Sequence, residues 1–245
     1  VHRRRVHGDA DIRGAARGQR PLLDTQHFFA TQLGTHECSH ARQSIPTCEA
    51  RPMAMPESFD LGEGIVLERA RTGHADALAR AVRESLDHLK PYMPWADTLN
   101  AQADTQRHRL GGVERLWDRA EELQFVIRES ESGVVVGAAG IIRTDRWRLG
   151  GDNAEIGYWT HADWCHRGLA TRAARTLADA SFAVPGIERV VIVCDATNEA
   201  SIAVPGKLGF RLHETFERPP EAPAESGRMQ VWVRTRDDQA CASPN

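Results

Sequence analysis

Trp164-Cys165-His166-Arg167-Gly168-Leu169-Ala170-Thr171 is the segment of this chain best suited, by residue type and spacing, to hold an anion. An apolar, strand-like stretch, Ala154-Glu155-Ile156-Gly157-Tyr158-Trp159-Thr160, runs before it. After it Leu169, Ala173 and Leu177 recur four apart, on one face of a helix. A strand, a glycine-bearing turn and a helix together aim backbone N–H groups at whatever sits over the helix N-terminus. Those groups lack intrahelical acceptors, and the helix dipole adds positive potential, so an anion is the natural occupant. Gly168 would let a phosphate approach without a Cβ in the way. A helix that merely begins with glycine would look the same, so the surroundings must decide.

A second pattern carries a different chemistry. His36-Glu37-Cys38-Ser39-His40 matches H-E-x-x-H, in which two histidines four apart on a helix bind zinc and the glutamate acts as base. Its context is missing: Gly34 sits just before it, no apolar stripe anchors a helix, and no third ligand follows. A chance match in a histidine-rich segment is the better account, and no metal site is expected.

The elements that must position the first motif can be read from Glu57 onward. Strands are expected at 64–69, 124–129, 134–142, 154–160, 189–195, 210–217 and 228–236. Helices are expected at 74–89, 99–122, 168–183 and 199–207. Leu78, Val82 and Leu86 mark the first helix, which Pro91 stops. Arg189-Val190-Val191-Ile192-Val193-Cys194-Asp195 is apolar on both faces, as a central, covered strand should be. The expected fold is α/β, with a mixed central sheet and helices on both faces in one domain.

Composition sets the outer bounds. With 41% hydrophobic and 27% charged residues among 245, the chain is ordinary globular material. No apolar run approaches the ~20 residues needed to cross a membrane. Five scattered cysteines, an odd number, fit a reducing, cytoplasmic compartment better than a disulfide framework. Residues 1–55 carry eight arginines, five acids and five of the eleven histidines, with no persistent period, and read as a disordered extension. Met53 and Met55 stand just before the first convincing element, so the functional protein is expected to begin near one of them. The expected division is therefore an extension at 1–55, one domain at 56–238 and a tail at 239–245. Residues 56–245 hold 23 basic against 29 acidic side chains, a poor match for a nucleic-acid backbone.

Residues 60–236 resemble the GCN5-related N-acetyltransferase (GNAT) superfamily, and within it the ribosomal-protein N-acetyltransferase type (RimJ/RimL-like). The resemblance rests on pieces in order: Val135-Val136-Gly137, Ala154-Glu155-Ile156-Gly157-Tyr158-Trp159, Arg167-Gly168-Leu169-Ala170-Thr171, and Asn198-Glu199-Ala200-Ser201 leading to Lys207-Leu208-Gly209-Phe210. His88-Leu89-Lys90-Pro91-Tyr92-Met93-Pro94-Trp95 is similar to the loop after the first helix of that subgroup. The resemblance implies acetyl-CoA as co-substrate, its pyrophosphate on Arg167, Gly168, Leu169, Ala170 and Thr171. It places the pantetheine arm, like an extra strand, against Trp159, Thr160 and His161, with Asn198 also in reach. The implied acceptor is an amine, first of all a protein N-terminal α-amine such as that of a ribosomal protein. The oligomeric state is left open, a homodimer being one arrangement.

Two departures from the family matter. Cys165 stands where the phosphate turn usually has Gln or Arg; because backbone N–H groups make most phosphate contacts, binding should survive. Cys165 as a nucleophile is disfavoured, since transfer in this family is direct. Pro205 stands where many members place a tyrosine as general acid toward the CoA thiolate. In the RimL-like subgroup a serine of the Asn-x-x-Ser motif is proposed for that role, and Ser201 matches it. The missing N–H of Pro205 frees the Ser201 carbonyl, for which water is the expected partner.

The chemistry can be sized. An α-amine of pKa about 8 is roughly one-tenth neutral at pH 7, whereas a lysine near 10.4 is neutral in about 0.04% of molecules, a further burden of roughly 3 kcal/mol. An α-amine therefore needs only a modest base, and Glu155, flanked by apolar residues, is the candidate; a structural ion pair is its alternative role. Asn198 could equally be an ordinary N-cap. The competing functions are acetylation of a small amine, such as an aminoglycoside or polyamine, and a non-catalytic acetyl-CoA-binding module. No G-x-G-x-x-G follows a strand and no Walker A sequence occurs, which disfavours dinucleotide and NTP chemistry.

Overall fold

The computed structural model describes residues 55–144, 149 and 152–241, and it begins with a hairpin that the sequence pattern had not marked. Strands β1 (Ser58–Gly62) and β2 (Ile65–Arg69) are antiparallel and joined by Glu63 and Gly64, at φ 55° and 72°. Two left-handed residues are what a tight I′ turn requires, and Glu-Gly is a weaker signal for it than Asn-Gly. The extension and its H-E-x-x-H motif lie outside the described residues. Met55 is described, and it is already buried in the core.

The first helical stretch is broken in two, α1 (Ala75–Glu84) and α2 (Leu86–Leu89). Ser85, at φ −112° and ψ 7°, ends α1, and its buried hydroxyl accepts from the N–H of Ala162 at 3.1 Å. The break thus ties the helix pair to the far end of a strand 77 residues on. Helix α3 (Ala103–Trp117), shorter than expected, turns Gln106, Arg109, Leu110, Val113 and Trp117 inward at helical spacing.

Then come β3 (Glu122–Glu129), β4 (Val135–Thr144), β5 (Asp152–Thr160), α4 (Leu169–Ser181), β6 (Ile187–Asp195), α5 (Glu199–Lys207), β7 (Arg211–Glu217) and β8 (Arg228–Thr235). Residues expected to end the last strand and begin a tail instead form α6 (Arg236–Cys241). The strands make one sheet in the order β1-β2-β3-β4-β5-β6-β8-β7, antiparallel except between β5 and β6.

Helices cover both faces. Leu78, Val82 and Leu110 pack with Val126, Ala138 and Trp159 on one. Leu177, Val204 and Leu208 pack with Phe125, Ile156 and Ile192 on the other. Strand β5 is buried almost throughout because it is covered from both sides. Its parallel pairing with β6 runs only from Asp152↔Ile187 to Glu155↔Val191, and beyond Glu155 the two strands part.

Helix α4 presses small residues and two leucines onto the sheet, and Leu177 is fully buried there. Leu177→Ala should therefore cost about 2–5 kcal/mol through lost burial and the cavity left behind. A urea unfolding midpoint unchanged in this variant would contradict that packing.

Candidate functional site

The parting of β5 from β6 opens a cleft, and three adjoining cavities run along it. The inner one, about 90 Å³, is lined by Tyr92, Trp95, Ile156, Tyr158, Cys194 and Ser201 among others. A middle one, about 130 Å³, shares Tyr158, Asn198 and Ser201 with it and adds His88, Thr160 and Ala170. An outer one, about 330 Å³, shares His88, Thr160 and Ala170 and reaches Gly168, Thr171 and Lys207. Shared walls make one continuous groove from the parting of the strands to the glycine turn.

The turn at its mouth has the geometry that an anion needs. His166 and Gly168 adopt φ 61° and 73°, and α4 begins at once, so its first N–H groups point outward without intrahelical acceptors. Glycine at 168 also suits the backbone: a Cβ there would meet no protein atom within 4 Å, but the left-handed φ favours glycine. Two side chains of this segment are otherwise engaged: Leu169 is in the core, and Arg167 lies 4.4 Å over the Trp164 ring and donates to the Asp163 carbonyl, while His166 and Thr171 line the outer cavity. Lys207, which the sequence reading did not single out, adds a cation to the outer wall.

Along β5 the three residues expected to meet an extended ligand are not equivalent. The His161 N–H donates to the Val136 carbonyl at 2.8 Å, so the antiparallel ladder alternates from there. Trp159 thus spends its backbone on β4, while Thr160, Tyr158 and Ile156 turn theirs toward the cleft. The Trp159 ring is buried, 6.0 Å from Trp95. The His161 ring is buried too. Its Nδ1 accepts from the Asp163 N–H, leaving Nε2 to donate to Glu84 Oε2 at 3.2 Å. Of the three, Thr160 alone faces the groove with backbone and side chain.

Two cysteines stand along the groove, one half-buried and one buried. Cys165 Sγ is 3.3 Å from His88 Nε2, in the outer cavity. Burial, followed by the neighbouring His161 and His166, holds the His88 ring below the usual histidine range. Cys194 is buried in the inner wall, and burial pushes its thiol up to about 12. At neutral pH Cys194 is a thiol and not a thiolate.

Ser201, in the first turn of α5, is fixed from several sides. Its N–H donates to Asn198 Oδ1 at 3.1 Å, so Asn198 is the N-cap and can offer a ligand only its amide N–H₂. Pro205, four residues on, has no N–H for the Ser201 carbonyl. That carbonyl accepts from the Tyr158 hydroxyl, at 3.1 Å. The same hydroxyl lies 3.4 Å from Ser201 Oγ. Burial raises the Tyr158 pKa well above the usual tyrosine value, so its proton stays in place.

Glu155 stands at the last paired register, buried, and lines none of the three cavities. Side-chain alternation puts it on the α1/α3 face, with Gly157 and Trp159, while Tyr158 and Ser201 lie on the α4/α5 side. Gly157, next along that face, lines the inner cavity and has no side chain to separate it from the carboxylate. On the same face Glu122 shares a cross-strand row with Glu155 through Ile142, and Gln124 donates to Glu122. Burial draws buried Arg109 down to about 10, opposed by Glu122. The candidate base therefore borders a buried polar layer, and it lies across the sheet from the candidate acid. Among the described residues no group of three or more His, Cys, Asp or Glu is arranged to hold a metal ion.

A family model described as an acetyltransferase (GNAT) domain matches residues 65–211. YdaF of Bacillus subtilis, named as a candidate ribosomal N-acetyltransferase, is 40% identical over 57 residues; the match spans 23% of this chain and 31% of that protein. The ribosomal-protein-S5-alanine acetyltransferase of Vibrio fischeri superposes with a TM-score of 0.67 at 18% identity, over 74% of this chain and 97% of its own. RimL, the ribosomal L7/L12 α-N-protein acetyltransferase solved in complex with coenzyme A, gives 0.65 at 20% identity, over 74% and 99%. At these identities the two structures share the fold.

Gly168→Val places a β-branched residue at φ 73° and should displace the turn. Acetyl-CoA affinity, measured by calorimetric titration, is expected to fall about tenfold, in line with the roughly 1–2 kcal/mol that a left-handed conformation costs a residue with a Cβ. An unchanged affinity would remove this turn from the site.

Proposed function

This chain belongs to the GNAT acetyltransferase family, and from that premise we propose that it moves acetyl from acetyl-CoA directly to an amine, first of all a protein N-terminal α-amine. The observation that carries this is the groove itself: backbone suited to an anion at one end and a parted strand pair with a small inner cavity at the other. The pyrophosphate would lie over the backbone of Arg167 to Thr171. The extended arm would meet the cleft-facing backbone of Tyr158 and Thr160, with the Asn198 amide beside it. A backbone N–H of β5 is the oxyanion donor for the thioester carbonyl.

The two faces of the sheet divide the proton work. The amine nitrogen attacks the thioester carbon, and the C–S bond breaks with its electron pair on sulfur. The nitrogen gives up one proton, for which Glu155 is the base, acting through water across Gly157. The sulfur gains one proton from the Ser201 hydroxyl, which takes a replacement from solvent in the groove while Glu155 returns its proton to solvent, so that amide and free thiol leave and both side chains are reset. The amine therefore comes from the side of the 88–95 loop and the thiol departs on the side of α5. An acetyl-cysteine intermediate is disfavoured, because Cys194 stays protonated and Cys165 lines the outer cavity, not the inner one.

Size favours an N-terminus over a bulky small-molecule amine. The inner cavity is about 90 Å³. Pockets that enclose drug-sized ligands are roughly 300–1,000 Å³. A peptide need only insert its first residue, and its remainder can lie along the exposed rim.

The test is an acceptor screen following CoA release, with peptides of varied N-terminal residue beside polyamines and aminoglycosides. Peptides should turn over best, with kcat/KM rising with pH as the α-amine loses its proton near pH 8. Glu155→Gln should lower kcat by about 10²-fold or more, within the range of general base catalysis. Better turnover of a polyamine or aminoglycoside would give the acceptor to a small amine. Tight acetyl-CoA binding with no acceptor turned over would make the protein a binding module.

A further inference from the structure

Helix α5 carries a proline in its interior at a place where the helix loses one specific bond. In a regular helix the N–H of residue 205 would bond the carbonyl of Ser201. Pro205 cannot make that bond, and the Tyr158 hydroxyl reaches across from β5 to take the vacant acceptor at 3.1 Å. We infer that Tyr158 is the positioning residue for Ser201, holding its hydroxyl toward the cleft, and that Pro205 is what makes this hold available. The inference rests on the acetyltransferase reading and on the role given there to Ser201.

The argument is one of proton counting. A tyrosine hydroxyl has a single proton, and here it goes to the Ser201 carbonyl. Toward Ser201 Oγ, 3.4 Å away, the phenol oxygen can then act only as an acceptor. At that distance the contact is at the long limit of a hydrogen bond, so the serine proton is directed without being strongly held. A thiolate arriving in the groove is a stronger acceptor and takes the proton in preference. The Asn198 cap fixes the serine backbone from the N–H side, and Tyr158 fixes it from the carbonyl side. Both Tyr158 and Ser201 line the inner and the middle cavity, so the pair stands where those two chambers meet. Burial that keeps Tyr158 protonated keeps this arrangement constant across the working pH range.

The experiment is a mutant cycle on kcat in the acceptor assay, with acetyl-CoA affinity and Tm measured on each variant. Tyr158→Phe should lower kcat roughly tenfold, less than the loss of a general acid itself, with acetyl-CoA affinity close to wild type. In a Ser201→Ala background, where there is no hydroxyl to position, Tyr158→Phe should cost nothing further in kcat. Adding Pro205→Ala to Tyr158→Phe returns an N–H to the orphaned carbonyl; Tm should recover while kcat stays low. Additive losses in the Ser201 cycle, or recovery of kcat together with Tm, would make Tyr158 merely structural and overturn the inference. Full kcat in either Tyr158→Phe or Ser201→Ala would do the same. A wild-type protein that turns over no acceptor would instead overturn the functional reading beneath it.

Discussion

Everything about the site depends on a parallel strand pair that stops pairing. Strands β5 and β6 are bonded through Glu155↔Val191 and then separate. Backbone N–H and C=O groups left behind by such a parting must find other partners, which is why strands seldom part without a use for the gap. The lips stay rigid because each strand keeps its outer neighbour. Strand β5 is laddered to β4 from Asn153 to Thr160, and β6 to β8 from Arg189 to Asp195. A cleft bounded by two intact ladders is preorganised, and binding in it need not order a loop at the same time.

In the proposed mechanism, the parting would also let a base and an acid work on one reaction without quenching each other. Glu155 belongs to one face of the sheet and Ser201 to the other, separated by the strand that carries the first of them. In a low-dielectric interior an adjacent carboxylate would disfavour the thiolate that must form as the C–S bond breaks. On that proposal, the gap would let the nucleophile and the leaving group sit on opposite sides of the reacting carbon, each near the group that serves it.

Local order was legible in the sequence wherever a period or a turn residue encoded it. The strands β3 to β8, α4 and α5 lie where alternation, helical spacing and the glycine turn place them. The misses have local causes as well. Strand β1 is short and its turn is Glu63-Gly64, a weak signal. The break at Ser85 depends on a bond to Ala162, and α6 follows β8 with no breaker between them. The glycine turn, Asn198 and Ser201 were named from sequence and share the groove. Thr160 does as well, whereas the rings of Trp159 and His161 are tied into the core. The partners that tune the site were out of reach. Tyr158 meets Ser201 across 43 residues and His88 meets Cys165 across 77, and no periodicity reports contacts of that kind.

Pro205 shows why a local rule can fail where function is concerned. A proline in a helix interior removes a hydrogen bond and costs about 3 kcal/mol where nothing compensates. In α5 compensation is present: the helix is nine residues long, Asn198 caps it, and the orphaned carbonyl receives the Tyr158 hydroxyl instead of an amide. The bond count is conserved while the donor changes from a backbone group to a side chain. A backbone donor could only have continued the helix. A phenol brings a second contact, to Ser201 Oγ, and a link between α5 and β5 across the cleft. The proline that looks like a defect in the helix is therefore the condition for joining the two elements at the point where the strands have parted.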